Sequence, residues 1–224
     1  MAHLTQPHTA AVFEELVRQR RATPHFGPDE VPWEVIEAAL KTAAEAPSGY
    51  NIQPWRFILV RDPAVRERLR QAAFNQEKIT EAPLVIIAWA EHDAWQDRID
   101  EILQTRARHS GRTMADTTKI RQNAVAFINT LPRDTWLNRQ VMIAFTYLML
   151  AFEAQGWDTA PMEGFDAGAV RKVVALPDNA AVVALLAVGR GIGNEPVHPG
   201  RLGIGDIAFV DRFGEPIHLN PLAP

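Results

Sequence analysis

The side chains able to do chemistry in this sequence are few, and the missing ones narrow the choice first. The chain has no cysteine, which excludes disulfides, thiolate metal sites, iron–sulfur clusters and thiol nucleophiles in one step. Its seven histidines, His25, His92, His109 and His198 among them, form no i, i+4 pair and no carboxylate cluster of the metal-ligand type, so no metal site is expected. No serine sits in a Gly-x-Ser-x-Gly elbow, which removes the usual support for acyl transfer through an activated hydroxyl. Gly189-Arg190-Gly191-Ile192-Gly193 follows an apolar run, yet it misses the third glycine of a dinucleotide fingerprint and leads into Asn194-Glu195-Pro196 rather than a helix. Any redox chemistry must therefore use a borrowed cofactor.

Three features remain. Arg20 continues the Val12, Leu16 row of an amphipathic helix, and a guanidinium on the inner side of a helix end needs an anion or a carboxylate, unless its stem packs while its charge reaches water. Ser48-Gly49-Tyr50-Asn51-Ile52-Gln53-Pro54-Trp55 gathers turn formers with hydroxyl and amide side chains: either a loop equipped to hydrogen-bond a ligand, or a plain helix-to-strand connection whose Ser48 and Asn51 satisfy their own backbone. Asn75 and Lys78 lie three apart and share a face if helical geometry persists there.

The elements that must position these residues are legible from periodicity. Val12, Phe13, Leu16 and Val17 mark a helix running to about Arg21, stopped by Thr23-Pro24. A second helix has Pro32 in its first turn, buries Val35, Ile36, Ala39, Leu40 and Ala43, and ends at Pro47. Arg56 to Val60 reads as a strand, and Asp62-Pro63 opens a further helix as cap and first-turn proline. Leu84 to Ala90 is a continuous apolar run, as expected of a central strand covered on both faces. From His92 to Pro132 the pattern weakens into charged helical segments, a surface or lid region carrying Trp95, Ile99, Ile102 and Leu103. Trp136 to Phe152 is one long helix, apolar round most of its circumference, with Gly156 as its stop. A short extended piece at 158–165 and an apolar strand from Ala181 to Val188 complete an α+β sandwich around a sheet.

At 224 residues the chain is expected to form one domain. Its 47% hydrophobic and 22% charged residues exclude disorder and low-complexity architectures. A net charge of −4, with basic residues dispersed, argues against a nucleic-acid partner. The longest apolar stretch, Val141 to Phe152, is too short to span a membrane, and Met1 to Gln6 lacks the pattern of a secretory signal, so a cytoplasmic address is expected.

Taken together, these segments resemble the FMN-dependent nitroreductase family from about Val12 to Phe213. The anchors are Arg20-Arg21-Ala22-Thr23-Pro24-His25-Phe26, Ala46-Pro47-Ser48-Gly49-Tyr50-Asn51-Ile52-Gln53-Pro54-Trp55, Asn75 to Lys78, Pro161-Met162-Glu163-Gly164-Phe165-Asp166 and Gly200-Arg201-Leu202. The resemblance implies a homodimer of nitroreductase-like α+β subunits, with FMN at the subunit interface, a variable region at about 92–132 and a C-terminal segment, about 202–224, exchanged around the partner. The implied cofactor-binding set is Arg20, Arg21, Ala22, Pro47, Ser48, Asn51, Gln53, Asn75, Lys78, Pro161, Glu163, Gly164 and Arg201. Arg20 and Arg201 would grip the phosphate, and Ser48, Asn51 and Gln53 would reach the flavin from the neighbouring subunit. Asn75 and Lys78 would face the pyrimidine edge, while backbone groups of Pro161 to Gly164 would line the ring.

The implied activity is an NAD(P)H oxidoreductase that passes hydride through flavin N5, in a ping-pong scheme, to nitroaromatics, quinones or similar planar electrophiles. No catalytic side chain is expected; Lys78 gives electrostatic support. A flavin-dependent dehalogenase, a flavin-fragmenting enzyme and a non-catalytic flavin-binding dimer are the alternatives on the same fold. The chain departs from the family pattern at Ala22, where many members carry Ser, at Pro24, where many carry a basic residue, and at Pro199, where a second basic residue often precedes the terminal arginine. Weaker FMN retention is the expected consequence.

Overall fold

The computed structural model describes residues 7–111, 113–194 and 196–217, which form two compact units dividing after Asn194. The first unit is built on an antiparallel sheet of β1 (Trp55–Val60), β2 (Leu84–Glu91), β3 (Asp158–Met162) and β4 (Ala180–Gly189), in the order β1-β2-β4-β3. The strand read as central is central. Because side chains alternate across a strand, the unbroken apolar run of β2 feeds two cores. Leu84, Ile86, Ala88 and Ala90 join one with α2 (Trp33–Ala44) and α7 (Arg133–Ala154), and Val85 and Ile87 join the other with α3 (Pro63–Ala72) and α8 (Ala167–Val173). Each buried Ile or Leu here contributes roughly 1.5–3 kcal/mol.

Local signals set the element ends. Asp62 caps α3 by accepting from Ala64 N and Val65 N, with Pro63 at the first position. Pro32 caps α2 from outside rather than lying in its first turn. The end of α7 is a Schellman motif: Gly156 N donates to Glu153 O, Trp157 N donates to Phe152 O, and Gly156 takes φ +75°. That reversal sends the chain directly into β3.

Two expectations are corrected, and the packing of a third region is defined. The first helix, α1 (Pro7–Gln19), stops before Arg20, and its apolar row is largely uncovered within this chain, Val12, Phe13 and Val17 being 56%, 57% and 47% exposed. Periodicity identifies such a stripe without identifying what buries it. Between α3 and α4 (Lys78–Glu81), Phe74 and Asn75 take φ +53° and +60°, so helical spacing does not carry Asn75 and Lys78 onto one face. The helices of the 92–132 region, α5 (Ala94–Ser110) and α6 (Met114–Ile128), are anchored in the α7-side core by Trp95, Ile99, Leu103, Ala124 and Ile128. Trp95 meets Trp136 edge-on at 6.4 Å.

In the second unit, Gly203 N donates to Asp206 Oδ2 at the start of α9 (Ile204–Ile207), Phe209 pairs with Pro216, and the Phe209 and Phe213 rings lie 4.8 Å apart. The reading of Met1 to Gln6, and the end of the expected extension at 218–224, lie outside the described residues.

Candidate functional site

One group of the predicted residues collects along β3. Among the described residues no strand pairs with the outer edge of β3; at Thr159, Thr23 N donates to Thr159 O at 3.0 Å and Ala22 forms an isolated parallel bridge to the same residue. Thr159 N and Oγ1 both donate to Glu153 Oε1, at 3.1 and 2.6 Å, so the last turn of α7 fixes this edge from below. Burial pushes the Glu153 carboxyl above its ordinary pKa, and Asp158 adds to the rise; the Thr159 hydrogen bonds and the charge of Arg20 oppose it.

Arg20 is the unresolved group of this corner. Its Nη1 is buried and has no hydrogen-bond partner, and no described carboxylate lies within ion-pair distance of it. Arg20 as a whole is half-buried, with Nη1 shut away from water and the Glu153 carboxylate as the described charge that it acts on. Arg21 is partly committed elsewhere, since its Nη1 donates to the carbonyls of Arg18 and Arg20.

Further along β3, Pro161 is exposed on the outer edge, where a residue with no N–H is tolerated and blocks further strand pairing. Glu163 and Gly164 follow, both exposed. Gln76 Nε2 donates to Gly164 O at 2.8 Å, and Asp166 N donates to Ala72 O, also at 2.8 Å. The first bond ties the Asn75–Lys78 segment to the Glu163–Gly164 segment, and the second ties the start of α8 to the end of α3. Gln76 is the residue that sequence reasoning passed over, although it stands between two that were named. Asn75 is exposed and Lys78 half-buried.

The second group lies elsewhere. In the Pro47–Gln53 loop, Tyr50, Asn51 and Gln53 take φ +55°, +60° and +45°, each left-handed non-glycine residue costing about 1–3 kcal/mol. The loop is held by Gln53 N donating to Ser48 Oγ, by Asn51 N donating to Ser48 O, and by Gly49 N donating to Gln140 Oε1 on α7. Ser48 thus satisfies its own loop, whereas the Asn51 side chain is exposed, as is Pro47. The loop leads into β1, three strands from β3, and Trp55 stands three residues along from Ile58, which shares a row with Met162. At ~4.8 Å per strand and ~3.3 Å per residue, the two groups are about 17 Å apart across the sheet. One chain does not bring them together.

Arg201 belongs to the second unit, where it is exposed and donates from Nη1 to Gly200 O. The Gly189–Gly193 turn is closed to phosphate: Gly191 N donates to Asp158 Oδ2 and Ile192 N to His25 O. Among the described residues no cluster could hold a metal ion, and no helix is long and apolar enough to cross a membrane. A guanidinium with a buried, unpaired Nη1 at one end of an edge strand, and exposed backbone polar groups, an amide and an ammonium at the other, suit an elongated ligand with an anionic tail and a hydrogen-bonding head.

The sequence model of the Nitroreductase family matches residues 17–190. An NADH dehydrogenase of Thermus thermophilus is 36% identical over 171 residues, covering 76% of this chain and 82% of that protein. Among solved structures, the nitroreductase ydfN of Bacillus subtilis has a TM-score of 0.84 at 25% identity, covering 90% of this chain and 99% of its own. A nitroreductase from Exiguobacterium sibiricum, solved in complex with FMN, has a TM-score of 0.77 at 25% identity, covering 88% of this chain and 95% of its own.

Proposed function

The chain belongs to the nitroreductase family, and on that premise we propose that it is an FMN-dependent oxidoreductase that takes reducing equivalents from NADH or NADPH and delivers them to a small planar acceptor such as a nitroaromatic or a quinone. The observation that carries this reading is Arg20, whose buried Nη1 lacks a partner. A buried charged donor left unsatisfied costs more than about 1–3 kcal/mol, and a phosphate beside it replaces that cost with a charge-assisted hydrogen bond. The FMN bound in the Exiguobacterium relative carries such a phosphate.

On this reading Arg20 holds the phosphate, with Arg21 as a further cation and Ala22 contributing no side-chain contact. Pro161, Glu163 and Gly164 present backbone groups to the ring, and the Gln76 bond to Gly164 O keeps that backbone in place. Asn75 donates and accepts at the polar edge, and the Lys78 ammonium favours the more negative, reduced form. Bound FMN supplies reversible two-electron transfer, which no side chain of this chain provides. Pro47, Ser48, Asn51 and Gln53 lie about 17 Å from the β3 group, so they serve a flavin held by a second copy. The homodimer is therefore part of the proposal, and the uncovered apolar row of α1 is suited to burial in it.

The test is the visible spectrum of the purified protein after incubation with FMN and desalting, before and after anaerobic NADPH and then NADH. Retained flavin that bleaches and recovers on adding a quinone or nitroaromatic supports the reading, and Arg20→Ala then loses flavin on desalting. Protein that retains no flavin overturns it. Retained flavin inert to both nicotinamides moves the assignment to the flavin-binding dimer.

A further inference from the structure

A cleft of about 500 Å³ opens beside the Asn51–Gln53 loop, between β1 and α5. Two guanidinium groups line it, Arg56 from β1 and Arg98 from α5. Arg98, Glu101, Ile102, Thr105 and His109 also line it, and their spacing of three, four, seven and eleven residues puts them on one helix face. Arg56 is fixed: its Nη1 donates to Gln53 O at 3.1 Å, at the end of the strained loop, and to Trp55 O at 2.7 Å, at the start of β1. Among the described residues neither arginine forms a salt bridge. Among the lining residues Glu101 is the one carboxylate facing the two guanidinium groups, and Glu91, outside the lining, also acts on Arg56. Burial and the charge of Arg98 lower the Arg56 pKa, with Glu91 opposing them.

Holding two like charges at one half-buried cleft works against the fold unless an anion joins them. We propose that Arg56 and Arg98 form an oxyanion subsite, which takes the carboxylate or phosphate group of a ligand whose apolar body lies against Trp55 and Ile102. The inference deepens the oxidoreductase reading, because the cleft shares Asn51 and Gln53 with the residues assigned to the flavin. Two sources share this chemistry: a planar acceptor carrying a carboxylate, and the 2′-phosphate that distinguishes NADPH from NADH.

Isothermal titration of the FMN-loaded protein with 4-nitrobenzoate and with its neutral isostere 4-nitrobenzamide, then with NADP⁺ and NAD⁺, separates the sources. Arg98 is exposed, so Arg98→Ala does not threaten the core. If the acceptor is the source, wild type prefers nitrobenzoate over nitrobenzamide by about tenfold, the order of one charge-assisted bond. Arg98→Ala removes that preference and Arg98→Lys keeps part of it. If the cofactor phosphate is the source, the same pattern appears in the ratio of NADP⁺ to NAD⁺ affinity. Two ratios that do not change in Arg98→Ala overturn the subsite. Titration needs no turnover, so bound flavin that neither NADPH nor NADH reduces overturns the oxidoreductase reading while this measurement still reads the cleft.

Discussion

Replacing Glu153 with alanine should loosen the edge on which the candidate site is built. Thr159 is fully buried, and Glu153 Oε1 accepts from both its N–H and its hydroxyl. The N–H is fixed by the strand and cannot turn to another acceptor, so it bears the full cost of a buried unsatisfied donor, while the hydroxyl can rotate and bears less. Together they amount to about 3 kcal/mol. In a chain of this size that lowers the melting temperature by about 6–12 °C. Thermal and urea unfolding followed by tryptophan fluorescence, at matched protein concentration, reads the loss. Amide exchange at Thr23, whose N–H donates to Thr159 O, reads whether the loss is local to this edge. A destabilisation below about 1 kcal/mol with Thr23 protection intact would refute the assignment of Glu153 as the strut of the site.

Glu153→Gln keeps an acceptor for Thr159 but cannot titrate. Because the folded pKa of Glu153 lies above the ordinary carboxylate value of 4.5, the folded state binds more protons than the unfolded one between those two values, so this group's contribution to stability falls as pH rises through that window. Urea midpoints from pH 4.5 upward should fall more steeply in wild type than in Glu153→Gln, and parallel curves would contradict the burial argument. Gly189→Ala should destabilise by about 1–3 kcal/mol, because a Cβ there would lie 2.8 Å from Pro83 Cδ and 2.9 Å from Phe26 Cδ1; an unfolding midpoint equal to wild type would show that both rings can yield.

Much of the sheet and its cover was legible in the chain because it rests on short-range signals. The unbroken apolar run of β2 announces a strand with two buried faces, and the residues alternate between two cores as that run requires. Asp62-Pro63 and Gly156 mark the helix ends where cap geometry demands those residues. Arg20 drew notice as a cation continuing an apolar helical row, yet α1 stops before it and that row is largely exposed, so the burial of its Nη1 has another origin than the one the spacing suggested.

What the sequence by itself determined is therefore which segments are helix or strand, which faces are apolar, and which few polar residues are anomalous, because propensity, capping and periodicity act within one or two turns of chain. The family anchors add which segments carry the site. Tertiary structure alone decided the rest. It placed Glu153 beneath Thr159, tied Gln76 to Gly164, and broke the helical path at Phe74 and Asn75 with left-handed backbone that no periodicity foreshadows. It also set the Ser48–Gln53 loop at the opposite edge of the sheet from Pro161–Gly164. Strand order and register arise from contacts between residues far apart in sequence, whose energies depend on the packed neighbours of both cores rather than on any local pattern.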